Sequence, residues 1–264
     1  MPTIAFDFLE TLTRFDNVIK VIWETWKKNG LKNEQHAYFL FNDWYESSCM
    51  IYLAKSHSGI YKSLIHILQG TLKRIIYKQL QCIPTDKEID NIIETYKSHL
   101  TPTPTSIEAL ELAINNGWTV WVITQNDKEY TCNFLKKYGF YTEYDDDVDD
   151  DHHYSKKKKG PIYIMTCDEL QVAKPHPKVY AQVMRKTINR TQKIENFYYI
   201  SAQSWDLTGA KNVSMRTAFV KSEELIFTTD IYEGRDPDIQ GETVIECVQQ
   251  ILNLESSLKH YYLL

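Results

Sequence analysis

Short runs that are apolar at nearly every position alternate along this chain with longer stretches in which apolar residues recur every three or four positions. The short runs are rich in β-branched and aromatic residues: T-I-A-F-D-F at 3–8, W-T-V-W-V-I-T at 118–124, F-Y-Y-I-S at 197–201 and R-T-A-F-V at 216–220. Such runs fit strands buried on both faces, as in a parallel sheet. A fifth strand is expected over 162–165. The intervening segments read as helices, so the pattern predicts an α/β fold. Between the first two strands lies a long helical interval. Val18, Ile19, Ile22, Trp23 and Trp26 form one stripe, and Phe39, Leu40, Trp44, Tyr45 and Tyr52 a second. Asp86, ahead of Ile89, Ile92, Ile93 and Tyr96, has the chemistry of an N-cap. T-P-T-P-T-S at 101–106 then reads as an extended return. The expected organisation is a core of residues 1–14 and 102–264, with a helical cap of residues 15–101 inserted after the first strand. Val244, Ile245, Val248, Ile251 and Leu252 predict a last helix, over 242–254, packed on the sheet.

Composition narrows the function classes. A chain of 264 residues, 43% hydrophobic and 13% aromatic, can bury a full core. A net charge of -5 offers no basic field, so neither nucleic acid nor a membrane surface is expected as a partner. No stretch approaches the roughly 18 consecutive apolar residues of a membrane-spanning helix. The five cysteines lack C-x-x-C spacing, are odd in number and follow no secretory start, which fits reduced thiols in a soluble, cytoplasmic protein. The run 143–159 combines aspartates, His152 and His153, and four lysines. Its histidines could take a metal, but a solvated loop is the simpler reading, and no site is assigned there.

Candidate chemistry gathers at strand ends. Asp7 closes the first apolar run, and the carboxyl edge of an open α/β sheet is where such folds keep their reacting groups. It is a candidate nucleophile. Thr124, Lys174 and the stretch from Ser201 to Asp206 lie at or near other predicted strand ends. A carboxylate, a hydroxyl, an ammonium and a second carboxylate can build one pocket in which the cation lowers the nucleophile's pKa and keeps it ionised.

Asp7 in F-D-F-L-E-T-L, Thr124 in V-I-T-Q-N, Lys174 in V-A-K-P-H-P-K-V-Y and Asp206 in I-S-A-Q-S-W-D-L-T-G-A-K together resemble the four ordered motifs of the haloacid dehalogenase (HAD) superfamily. The last two look most like its L-2-haloacid dehalogenase (type II) branch. This resemblance implies a Rossmann-like core with a parallel sheet and a helical cap after the first strand. It also implies metal-independent, cofactor-free hydrolysis of a small molecule, with Asp7 displacing halide from carbon to form an ester that water cleaves. Lys174 would sit beside the nucleophile, Thr124, Ser201 and Asp206 would complete the catalytic set, and Leu9, Gln125, Gln203, Trp205 and Asn42 would face the substrate. Relatives in this branch often dimerise through the cap, so a homodimer is a further expectation. The aromatic residues from Tyr38 to Tyr52 could supply its surface or the cap's own core.

The same motifs argue against the superfamily's commoner Mg²⁺-dependent phosphatase chemistry. A phosphatase would carry an acid-base aspartate where Leu9 stands and a metal-binding aspartate where Ala202 stands. Departures from the dehalogenase pattern are also visible. Glu10 occupies a position where glycine is usual, which demands either an unusual backbone conformation or a rebuilt loop. Leu9 stands for an aromatic residue, Gln203 for asparagine, and Thr124-Gln125 for a serine-asparagine pair. No arginine occurs between Arg14 and Arg74, and Asn42 stands near the place of the carboxylate-binding arginine. Either the substrate is not a small 2-haloacid, or Lys55, Lys62 or Lys174 takes that role. A diverged phosphatase and an idle binding protein on the same fold remain the alternatives.

Overall fold

The computed structural model describes residues 2–142 and 159–262. In chain order the elements are β1 (Thr3–Asp7), β2 (Thr13–Arg14), α1 (Asp16–Trp26), α2 (Glu34–His57), α3 (Leu64–Leu80), α4 (Asp86–Ser98), β3 (Thr101–Pro102), α5 (Ser106–Asn115), β4 (Thr119–Thr124), α6 (Lys128–Lys137) and β5 (Phe140–Thr142). After the acidic and basic run, whose residues 143–158 lie outside the described ones, come β6 (Lys159–Thr166), α7 (Cys167–Leu170), α8 (Pro177–Thr191), β7 (Phe197–Ser201), α9 (Ser204–Lys211), β8 (Arg216–Val220), β9 (Ile239–Gly241) and α10 (Val244–Tyr262).

Seven strands form one parallel sheet in the order β5-β6-β4-β1-β7-β8-β9. All five residues of β1 and of β7 are buried, which is why their sequences show no polar alternation. The chain builds outward from β1 through β4 to β6, then returns across β1 to start β7 on its other side. The carboxyl ends of β4, β1 and β7 therefore border the crevice at the point where strand order reverses, the usual ligand position in such sheets. Helices flank the sheet: α5 and α10 pack together against it, as do α8 and α9.

Four helices, α1 to α4, lie between β2 and β3, and these two short strands pair antiparallel through Thr13 with Pro102 and Arg14 with Thr101. The backbone thus leaves and re-enters the sheet region through one ribbon. Phe15, just beyond it, packs its ring on Phe41, Tyr45 and Tyr96 at centroid distances of 4.9, 4.9 and 5.7 Å, tying α2 and α4 to the exit point. Trp44 is buried against α3, its indole N–H donating to the Leu68 carbonyl at 3.0 Å.

Several local expectations need correction. Asp86 is the first helical residue of α4. The cap is Thr85, which forms a reciprocal capping box with Glu88, because a threonine in extended conformation can reach the N3 amide. The second aromatic stripe is divided. Leu40, Trp44, Tyr45 and Tyr52 are buried, whereas Tyr38 and Phe39 point to solvent, since a helix of this length turns part of its apolar set off the core face. β5, β9 and the β2–β3 ribbon are too short to show in periodicity. Among the described residues no helix is long and apolar enough to cross a membrane.

A methyl group added at Gly209 in α9 would lie 2.5 Å from both the Pro175 carbonyl oxygen and a Tyr180 ring carbon. Gly209→Ala is therefore expected to destabilise the protein by about 1–3 kcal/mol, seen as a lower denaturant midpoint at unchanged slope. An unchanged midpoint would show that α9 does not depend on this close approach.

Candidate active site

Lys174, in the turn between α7 and α8, projects its ammonium between two carboxylates in the buried crevice. Nζ donates to Asp7 Oδ1 at 2.5 Å, to Asp206 Oδ2 at 2.8 Å and to the Tyr199 hydroxyl at 3.1 Å. That uses all three donors an ammonium has. The three charged side chains are 1%, 6% and 0% exposed for Lys174, Asp7 and Asp206, so none is compensated by solvent.

The two carboxylates are bonded very differently. Asp206 Oδ2 also accepts from Tyr199 at 2.6 Å and from Ser201 at 3.2 Å, and Oδ1 accepts from the Tyr180 hydroxyl. With Lys174 this makes four donors on one carboxylate, which has about four lone-pair sites. Among the described residues Asp7 receives two: Lys174 on Oδ1, and Thr11 on Oδ2 at 2.7 Å. Thr11 is in turn fixed by the Ala202 N–H, which donates to its Oγ1 at 2.9 Å. Asp206 is a saturated anchor, whereas Asp7 is oriented and keeps lone pairs to spare.

Burial pushes the Asp7 carboxyl above its ordinary value, opposed by Lys174 and reinforced by Asp206. The expectation that the ammonium would lower it overall is thus corrected: desolvation is the larger influence. Burial also disfavours the Lys174 ammonium, but Asp206 and Asp7 outweigh it and hold the group above the usual lysine range. Lys174 thus keeps its proton, and its positive charge favours the ionised form of Asp7 against burial.

Outside this triad a cleft of about 250 Å³ opens at the carboxyl edge of the sheet. Glu10, Gln125, Gln203 and Trp205 line it from the strand ends, and Tyr45, Glu46, Cys49 and Leu53 from α2. Gln203 Nε2 donates to Glu10 Oε2 at 2.9 Å, and Trp205 Nε1 donates to Gln203 Oε1 at 3.1 Å, so the three form a chain across the floor. Glu10 has a φ of +66°, a left-handed conformation that glycine adopts without strain; the loop is strained rather than rebuilt. Burial, and after it Glu223, Asp7, Glu46 and Glu224, push the Glu10 carboxyl up to about 8. Burial and Glu10 push the Cys49 thiol up to about 12, so it lines the cleft in neutral form.

Among the residues singled out from sequence, Asp7, Lys174, Ser201 and Asp206 meet in one hydrogen-bonded cluster, and Gln125, Gln203 and Trp205 border the cleft. Thr124 is buried at the end of β4, and its hydroxyl accepts the Asn126 N–H at 2.8 Å. Leu9 is buried and pairs with Thr13 beneath the loop. Asn42 lies on α2, one turn before Tyr45 and outside the set of cleft-lining residues.

Sequence reasoning missed Thr11, Tyr180 and Tyr199. Thr11 was visible as a hydroxyl four residues beyond Asp7. Tyr199 shares a strand face with Ser201 by two-residue alternation. Tyr180 offered only a helical offset from Lys174. The α2 wall had no local signal, because it depends on how α2 lies over the sheet.

A family model described as haloacid dehalogenase-like hydrolase matches residues 1–213. No curated protein matches the chain. Among solved structures, the L-2-haloacid dehalogenase from Xanthobacter autotrophicus is similar at TM-score 0.70 and 15% identity, over 94% of this chain and 97% of that one. The same enzyme with chloropropionic acid covalently bound matches at 0.68 and 16% identity, over 94% and 97%. Another L-2-haloacid dehalogenase matches at 0.74 and 14% identity, over 96% and 99%. At these identities the likeness is one of fold.

Thr11→Val would leave the Ala202 N–H and one Asp7 oxygen without their partner. A loss of about 1–3 kcal/mol in unfolding free energy is expected, with Thr11→Ser near wild type; equal stability of all three proteins would remove Thr11 from the support of Asp7. A second expectation concerns pH. An unfolded glutamate releases its proton near 4.5 and folded Glu10 near 8, so the folded state holds the extra proton between those values. Stability should therefore fall as pH rises through that window. In thermal melts across the window, Glu10→Gln should gain on wild type as pH rises; a constant difference would count against a buried, proton-retaining Glu10.

Proposed function

The chain belongs to the haloacid dehalogenase-like hydrolase family, and on that premise we propose that Asp7 is a nucleophile that forms an ester with carbon. A free lone pair of Asp7 attacks an electrophilic sp³ carbon. The new C–O bond forms as the carbon–halogen bond breaks, and halide leaves with the bonding pair. Water then adds to the acyl carbon of the Asp7 ester, releasing the alcohol and restoring the carboxylate. The balance is one organohalide and one water consumed, and one alcohol, one proton and one halide produced.

What carries this reading is the asymmetry between the two carboxylates. Of the two groups held by Lys174, Asp7 carries two donors against four on Asp206, and Thr11 and Lys174 aim it. Asp206, with Tyr180, Tyr199 and Ser201, fixes the ammonium from the other side. Residues 15–101 act as the cap, with α2 supplying the outer wall of the cleft. The bond chemistry parallels the covalent chloropropionic acid complex of the Xanthobacter enzyme.

The residues fit an Mg²⁺ phosphatase poorly. Leu9 cannot exchange a proton, Ala202 cannot ligate, and a lysine ammonium already bridges Asp7 and Asp206.

Halide release should be sought across short organohalides of all charge types, with an aryl phosphate in parallel. Wild type is expected to release halide with no change on adding EDTA, and Asp7→Asn to lose about a thousandfold or more. Phosphate hydrolysis that needs Mg²⁺, with no halide released from any compound, would sink the carbon-nucleophile reading.

A further inference from the structure

The charge of the cleft points to a substrate class. Glu46 lines it from α2 and Glu10 from the loop after β1, beside the aromatic residues Tyr45 and Trp205, and among the described residues no lysine or arginine lines it. Glu10 holds its proton up to about pH 8, and a cation seated beside it would favour the ionised form. Glu223 and Glu224 add to the negative field at Glu10. The buried cation next to Asp7 cannot compensate. All three Lys174 N–H groups are spent on Asp7, Asp206 and Tyr199, leaving none for a substrate carboxylate. The triad itself holds two carboxylates against one ammonium. Lys55 and Lys62 are exposed and do not line the cleft, and Arg14 is paired with Asp16 at 3.1 Å. Among the described residues, a monocarboxylate entering here meets the Glu46 carboxylate and no cationic partner.

Taking Asp7 as the carbon nucleophile proposed above, we infer that the cleft receives a small organic cation: an ammonium compound whose charged end lies among Glu46, Glu10, Tyr45 and Trp205 while its electrophilic carbon reaches Asp7. Carboxylates combined with aromatic rings are the chemistry that recognises alkylammonium groups, through direct charge attraction and through the negative ring faces. The cleft's volume of about 250 Å³ limits the ligand to a few heavy atoms beyond the ammonium. The reaction is unchanged in its balance: the ammonium is a spectator, and the products are the ammonium alcohol, a proton and halide.

The test uses three bromides of similar size: bromoethyl-trimethylammonium, its uncharged tert-butyl isostere, and bromopropionate. Calorimetric titration of the Asp7→Asn protein, which cannot form the ester, should show the cation binding about tenfold or more tighter than the isostere, with bromopropionate not detected. Tetramethylammonium against acetate gives the same comparison on the wild-type protein, without a leaving group. Glu46→Gln, at an exposed position, should weaken the cation about fivefold or more and leave the isostere within about twofold. Equal binding of cation and isostere, or tighter binding of the anion, would overturn the inference. The two readings fail separately. Asp7-dependent halide release fastest from bromopropionate overturns the charge inference and keeps the nucleophile, whereas selective cation binding with no halide released from any bromide keeps the charge inference and removes the nucleophile.

Discussion

The ammonium of Lys174 is the constraint on which the rest of the site depends. It joins β1 through Asp7, β7 through Tyr199 and α9 through Asp206, three segments separated widely along the chain. In so buried a site each charge is tolerable only because the others are present. Removing one partner of such a buried pair commonly costs about 3–5 kcal/mol. The same contacts distribute roles: an anchor carboxylate holding four donors, a second carboxylate holding two, and a cation that joins them.

Around that triad the supporting contacts are of short reach. Thr11 takes an N–H from the loop after β7 and passes its own hydrogen to Asp7. Tyr180 reaches Asp206 from α8, and the bare Gly209 lets α9 come close enough for that contact. The loop after Asp7 carries backbone strain next to the site. A non-glycine residue in the left-handed region costs roughly 1–2 kcal/mol, and at Glu10 the hydrogen bond from Gln203 helps to hold it there. The result places a carboxyl group among the cleft-lining residues where a glycine would leave none.

The opposite wall is set by packing. Phe15, Phe41, Tyr45 and Tyr96 form one aromatic cluster, which orients Tyr45 and with it the face of α2 carrying Glu46 and Cys49. At the far end of α2, Ser56 accepts the Ala173 N–H at 2.8 Å and Tyr61 donates to Asp168 at 2.5 Å. These contacts join the helical segment to the chain between β6 and α8, Ala173 standing one residue before Lys174. The α2 wall and the reacting group are therefore fixed relative to one another by a short mechanical path.

The central strands and four of the residues around the triad were legible in sequence, because a buried parallel strand shows as an uninterrupted apolar run and the chemistry follows directly at its end. Asp7, Lys174, Ser201 and Asp206 each stand within a few residues of such a landmark. The short edge strands, the Thr85 cap and the divided α2 stripe were not legible, since two or three residues carry too little periodicity and helix rotation is decided by packing. The charge of the cleft lay further beyond reach. Sequence established that no cap arginine exists between Arg14 and Arg74, but Asn42, Lys55 and Lys62 remained open as substitutes. Only the tertiary structure set Glu46, rather than any of these, in one cleft with Glu10, and spent every Lys174 donor on Asp7, Asp206 and Tyr199. Local sequence determines which groups a strand end can present; which groups face one another across a cleft depends on the angle and rotation of a distant helix, and that is fixed only when the whole core has packed.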